Sequence, residues 1–107
     1  MARLTRGDVH LVKFAAPDKQ RPVVILTRDS ALNRLTQITV APITSAIRGV
    51  PSEIVLDYDD GMKTPCAINL HNISTIPQSG LGRRVATLSE QRMRQLCGAL
   101  RFALGCD

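Results

Sequence analysis

Two short apolar runs, each edged by polar residues able to do chemistry, constrain this chain more than any other feature: Arg21-Pro22-Val23-Val24-Ile25-Leu26 and Val40-Ala41-Pro42-Ile43-Thr44-Ser45. Both read as β-strands. Pro22 cannot donate to a ladder, so it fits the first position of a strand over 22–27. If the two strands share one small barrel, the Arg21 guanidinium and the Thr44 hydroxyl, with Ser45 beside it, converge on one phosphate. Arginine suits that target, because its fork of donors matches phosphate oxygens and keeps its charge at any working pH.

The rest of the chain is cut into similar short pieces. Residues 8–14, 36–43 and 53–57 read as strands, and 66–76 as one or two strands closed by Pro77. Asp29 to Arg34 has the acidic start of one or two helical turns, Asp60-Gly61 is the sharpest turn signal, and 80–86 is a turn leading into an extended piece. The C-terminus differs. Ser89 is a good N-cap with Glu90 in the first turn, although Thr87 and Glu90 form a competing capping box. Met93, Leu96, Cys97, Leu100 and Leu104 then follow helical spacing, which predicts a helix over 90–104 ended by Gly105. Many short strands without βαβ alternation imply a mainly β (α+β) fold. We expect a small antiparallel β-barrel or curled sheet with a C-terminal helix and one or two short helices.

The 107 residues suffice for one domain, 1–107, with one modest core. No apolar run approaches the roughly 20 residues that span a bilayer, and the charged start Met1 to Arg6 has no apolar region behind it. The three cysteines form no CxxC pair, which points to reduced thiols in a cytoplasm, and neither His10 nor His71 has ligand spacing with them. No metal or other cofactor is expected. Fourteen Lys and Arg against nine Asp and Glu give a net charge of +5, which makes a polyanion, nucleic acid first, the natural partner. Phe14, Tyr58 and Phe102 are the only aromatic residues. A single-strand binder that works by stacking bases needs more rings than this, so phosphate contacts and base-edge hydrogen bonds must do most of the recognition.

Each candidate residue has a plainer alternative. Arg21 on position alone is a solvated residue at a strand start, and Thr44 and Ser45 can cap a strand end. His71 has the intrinsic pKa of a general base, yet a lone histidine is more often structural. Asn69 and Asn72 flank it and can read base edges or pair with backbone. The Arg83-Arg84 doublet can meet phosphate or simply edge a turn. Gly80-x-Gly82 lacks the wider glycine pattern of a phosphate loop. No Ser/His/Asp set or pair of catalytic carboxylates is visible.

Taken together, the pieces resemble the MazF/PemK (Kid-like) toxin family of toxin–antitoxin systems. The resemblance is collinear through Arg6-Gly7-Asp8-Val9, the Arg21 and Val40 runs, Asn33-Arg34, Pro51-Ser52-Glu53-Ile54, Ile73-Ser74-Thr75-Ile76 and Leu81-Gly82-Arg83-Arg84. It implies an SH3-like barrel, a homodimer, and a metal-independent, sequence-selective endoribonuclease (an mRNA interferase) acting on single-stranded RNA. It also implies a cognate antitoxin whose extended acidic tail covers the RNA surface. The family's functional arginine falls on Arg21 and its threonine on Thr44. Asp18, Ser45 and His71 are candidate helpers, and Lys19, Arg48, Asn69, Arg83 and Arg84 candidate RNA contacts. The chain departs from the family where Pro65-Cys66 replaces an Asp-Ser pair, where His10 replaces a first-strand aromatic, and where Asp18 only approximates an acidic position. A non-catalytic binding module of the same fold, either like the gyrase-directed CcdB toxins or an inactive homologue, is the alternative. Such a ribonuclease can use the RNA's own 2′-hydroxyl as nucleophile, leaving the protein to help remove that proton, stabilise the crowded phosphorane and protonate the leaving oxygen, with the general base left open.

Overall fold

The computed structural model describes residues 3–13 and 20–106. Among these described residues seven strands and two α-helices follow one another as β1 (Asp8–Lys13), β2 (Gln20–Ile25), α1 (Asp29–Leu32), β3 (Gln37–Thr44), β4 (Glu53–Leu56), β5 (Cys66–Asn69), β6 (Ser74–Pro77), β7 (Leu81–Thr87) and α2 (Glu90–Leu104). Short 3₁₀ turns at Tyr58–Asp60 and Gln78–Gly80 precede β5 and β7. All pairings are antiparallel, in the order β4-β5-β3-β2-β1-β7, with β6 pairing the first half of β3. The expected barrel is thus a curled sheet, and its path is not closed by a ladder between β4 and β7.

The unbroken apolar runs have a simple cause: both faces of β2 and β3 are covered. Val24, Leu26, Ala41 and Ile43 join the cluster under α2, with Leu96 and Ala99 from the helix. Val23, Ile25, Ile38 and Val40 face the other way, onto Leu32 of α1. A strand buried on both sides reads as a continuous apolar run rather than an alternation.

Most expected elements are present, with shifted ends. β2 begins before Pro22, which is its third residue. The proline is tolerated because the β2–β3 ladder starts only at Val23. The 66–76 stretch is two strands separated by the turn over 70–73, and Pro77 is the last residue of the second. The 29–34 segment forms one turn, anchored by the fully buried Leu32. At α2 the competition between caps is settled. Ser89 Oγ accepts from the Arg92 N–H, while the Thr87 hydroxyl donates to Asp8 Oδ1 at 2.9 Å. Of the helical stripe, Leu96 is fully buried, but Leu104 is more than half exposed and Ala103 takes the core contact in its turn.

Candidate active site

Arg21 and Thr44 meet because β2 and β3 are antiparallel neighbours. Val23 pairs with Pro42, so continuing that register by two residues sets Arg21 across from Thr44. Both line a cleft of about 400 Å³ with Leu11, Ser45, Met62, Lys63, Thr64, Cys66 and Arg83. Three cations, Arg21, Lys63 and Arg83, therefore share one concavity with three hydroxyls. Among the described residues that line it there is no carboxylate. The cleft is built for an anion.

Thr44 is held for donation. Its Oγ1 accepts the Ala46 N–H at 3.1 Å, which leaves the hydroxyl hydrogen to point elsewhere. Cys66 forms part of the wall. Burial pushes its thiol up, and the negative charge of Asp60 adds to this, so it stays a neutral thiol at physiological pH.

The opposite wall, residues 61–64, is fixed from a distance. Asp57 caps the 3₁₀ turn through a reciprocal capping box with Asp60. Gly61 leaves that turn at φ 86°, a conformation that costs glycine nothing. Arg92 of α2 then grips Asp60 with two hydrogen bonds of 3.0 Å, from Nε to Oδ1 and from Nη2 to Oδ2. Burial alone would raise the Asp60 carboxyl. The Arg92 hydrogen bond, the Asp57 backbone N–H and the Arg92 charge together outweigh it and hold Asp60 below the usual carboxylate range. Arg92 is pushed up in turn, chiefly by its hydrogen bond to Asp60.

The cleft thus brings together Arg21, Thr44, Ser45 and Arg83 and leaves other sequence candidates outside. Asp18 and Lys19 lie outside the described residues. His71 is exposed on the β5–β6 turn, with Nδ1 2.6 Å from the Ser52 hydroxyl. Asn69 is buried, and its Oδ1 closes the same turn by accepting from the His71 N–H. Arg48 donates its backbone N–H to Glu53 Oε1 in the exposed loop after β3. Arg84 points away from the cleft and lies 3.9 Å from the buried Asp8 carboxylate. Lys63 and Thr64 are the cleft residues that sequence reasoning missed. The Asp60-Gly61 turn was legible, but not the Arg92 contact that fixes the turn leading into them.

Among the described residues no helix is long and apolar enough to cross a membrane. Among the described residues no group of three or more His, Cys, Asp or Glu side chains gathers that could hold a metal ion.

Residues 5–104 match the family model of the PemK-like, MazF-like toxin of type II toxin-antitoxin system. The "Probable endoribonuclease MazF5" of Mycobacterium tuberculosis is 39% identical over 103 residues, covering 95% of this chain and 94% of the relative. "Endoribonuclease MazF3" of the same organism is 38% identical, covering 90% and 93%. Among solved structures, Mycobacterium tuberculosis toxin MazF-mt6 superposes with a TM-score of 0.85 at 36% identity, over 94% of this chain and 98% of that one. A mycobacterial endoribonuclease in complex with its cognate antitoxin shares the fold at a TM-score of 0.86 and 20% identity, covering 97% of both chains. In sequence and in fold alike, the chain belongs to the PemK-like, MazF-like toxins of type II toxin–antitoxin systems.

Proposed function

We propose that this chain is one toxin domain, 1–107, that cleaves single-stranded RNA at selected sequences without a metal ion, as the mRNA interferase of a type II toxin–antitoxin pair. It works in the cytoplasm as a homodimer, and a cognate antitoxin silences it. The observation that carries this reading is the meeting of Arg21 and Thr44 in a cationic cleft of a family whose relatives are named endoribonucleases.

The chemistry follows from the side chains. The RNA 2′-hydroxyl gives its proton to solvent water as its oxygen bonds to the adjacent phosphorus; the bond to the 5′-oxygen breaks, and that oxygen takes a proton from water. A 2′,3′-cyclic phosphate and a 5′-hydroxyl result. Negative charge grows on the non-bridging oxygens in between. Arg21 meets that charge with two parallel N–H donors, and Thr44 donates its hydroxyl hydrogen to one oxygen. Ser45 offers a second hydroxyl. Arg21 offers donors only, since a guanidinium has no acceptor. It acts by charge and orientation, and the described part of the cleft supplies electrostatic stabilisation rather than proton transfer. Lys63 and Arg83 hold the flanking backbone.

Digesting a long mixed-sequence RNA in EDTA tests the reading, with a second RNA carrying 2′-deoxy nucleotides at the mapped cleavage sites. The expected result is cutting of the first and survival of the second. Activity that disappears in EDTA and returns with magnesium, or cleavage of the deoxy-substituted RNA, would overturn the mechanism. No cleavage of either would leave a binding module.

A further inference from the structure

The Arg83-Arg84 doublet cannot be told apart in sequence, and β7 separates its members with two register shifts. At its end the β1–β7 ladder pairs Asp8 with Thr87 and Val9 with Ala86. In that register Arg84 would stand opposite Leu11, on the cleft side, and Arg83 opposite Val12, which is part of the buried core. The ladder slips instead, pairing His10 with Arg84 and then Val12 with Leu81. Each slip inserts one extra residue into β7. The first slip brings Arg83 opposite Leu11, where it lines the cleft, and the second seats Gly82 beside it, while Arg84 turns to Asp8. Bulges that re-aim a side chain recur beside active sites.

A bulge frees backbone groups that then need partners. Here the Gly82 carbonyl lies 2.9 Å from Nδ1 of His10, which is 7% exposed. A carbonyl only accepts, so Nδ1 carries the proton. Nε2 is buried with no partner among the described residues. A polar ring in this place costs an unpaired nitrogen, which a residue that merely filled space would avoid. Gly82 itself leaves no slack: a Cβ there would lie 2.9 Å from the Leu11 carbonyl oxygen.

We propose that His10 is a positioning residue: its Nδ1–H, bound to the Gly82 carbonyl, holds the second β7 bulge beside Arg83, keeps that arginine in the cleft and so sets the affinity for the RNA backbone. This rests on the reading of the cleft as the RNA site.

The test is a double-mutant cycle between H10F and R83A, with H10N as the conservative variant. Phe keeps a ring without the donor, and the Asn amide restores a donor near the Nδ1 position. The probe is a mixed-sequence, single-stranded 2′-O-methyl RNA, whose binding needs no turnover. H10F should weaken binding about tenfold, the scale of one charge-assisted hydrogen bond. It should add nothing in the R83A background, and H10N should stay near wild type. In cleavage of unmodified RNA, H10F should raise KM and leave kcat nearly unchanged. Nitrogen NMR of wild-type His10 should show the Nδ1–H tautomer. An Nε2–H tautomer, full additivity of H10F with R83A, or H10N as weak as H10F would each overturn the role of His10 while leaving the RNA reading intact. A wild-type protein that binds no single-stranded RNA would overturn both.

Discussion

Arg21 and Thr44 were legible in the sequence because each stands at the border of a strand, where a polar side chain can leave the core and face a ligand. Their meeting needed only that two strands be antiparallel neighbours. Lys63 was not legible, because its place depends on the Asp60–Arg92 contact between residues 32 positions apart. Nor could Arg83 be told from Arg84, since a bulge changes which face a residue takes and leaves no mark in the alternation. These cations give a quantitative expectation at the residue scale. On single strands each neutralised phosphate contributes about −0.7 to the slope of log K against log salt. K63Q and R83A should each make the slope shallower by about that amount, as read by RNA binding titrated across salt concentrations. R84Q, whose partner is Asp8, should leave it unchanged.

Among the elements, α2 was the easiest to read, because a serine cap, an acidic first turn and a helical apolar stripe all agree on Glu90–Leu104. The 66–76 stretch was harder, because two strands of four residues each carry little periodicity. What neither pattern reveals is that α2 also anchors a wall of the cleft through Arg92. Asp60 binds its proton less readily in the folded chain than in the unfolded one. Its contribution to stability is therefore complete above the unfolded carboxyl pKa of about 4 and is lost as pH falls through the lower folded value. D60N should lower the melting temperature at pH 7, at a cost of about 1–3 kcal/mol for the lost charged hydrogen bonds. The gap from wild type should narrow on acidification through that window, as followed by thermal melts from pH 7 to pH 2. A gap that stays constant would place the stabilising effect elsewhere.

For the molecule as a whole, the class of fold was readable from the succession of short strands and one terminal helix. That the sheet stays open between β4 and β7 was not, because edge pairing is set by how far the sheet curls. Of the fourteen cations, three share one cleft free of carboxylates among its described residues. A surface that holds an RNA backbone also attracts an acidic peptide, so the cognate antitoxin's tail and single-stranded RNA should compete. Raising the tail concentration should raise the apparent Kd for RNA in proportion; a ternary complex of unaltered RNA affinity would mean two separate surfaces.

The central claim is that the Arg21–Thr44 cleft stabilises the charge of RNA cleavage. It is tested most directly by the single-turnover cleavage rate of wild type, R21K and T44V in EDTA, each checked for an unchanged circular dichroism spectrum. Lysine keeps the charge and loses the fork, and valine keeps the shape and loses the donor. The expected result is a loss of about 10²–10³ in rate for each variant, the scale of one preorganised donor to a developing oxyanion. Folded variants that cleave at near the wild-type rate would contradict it.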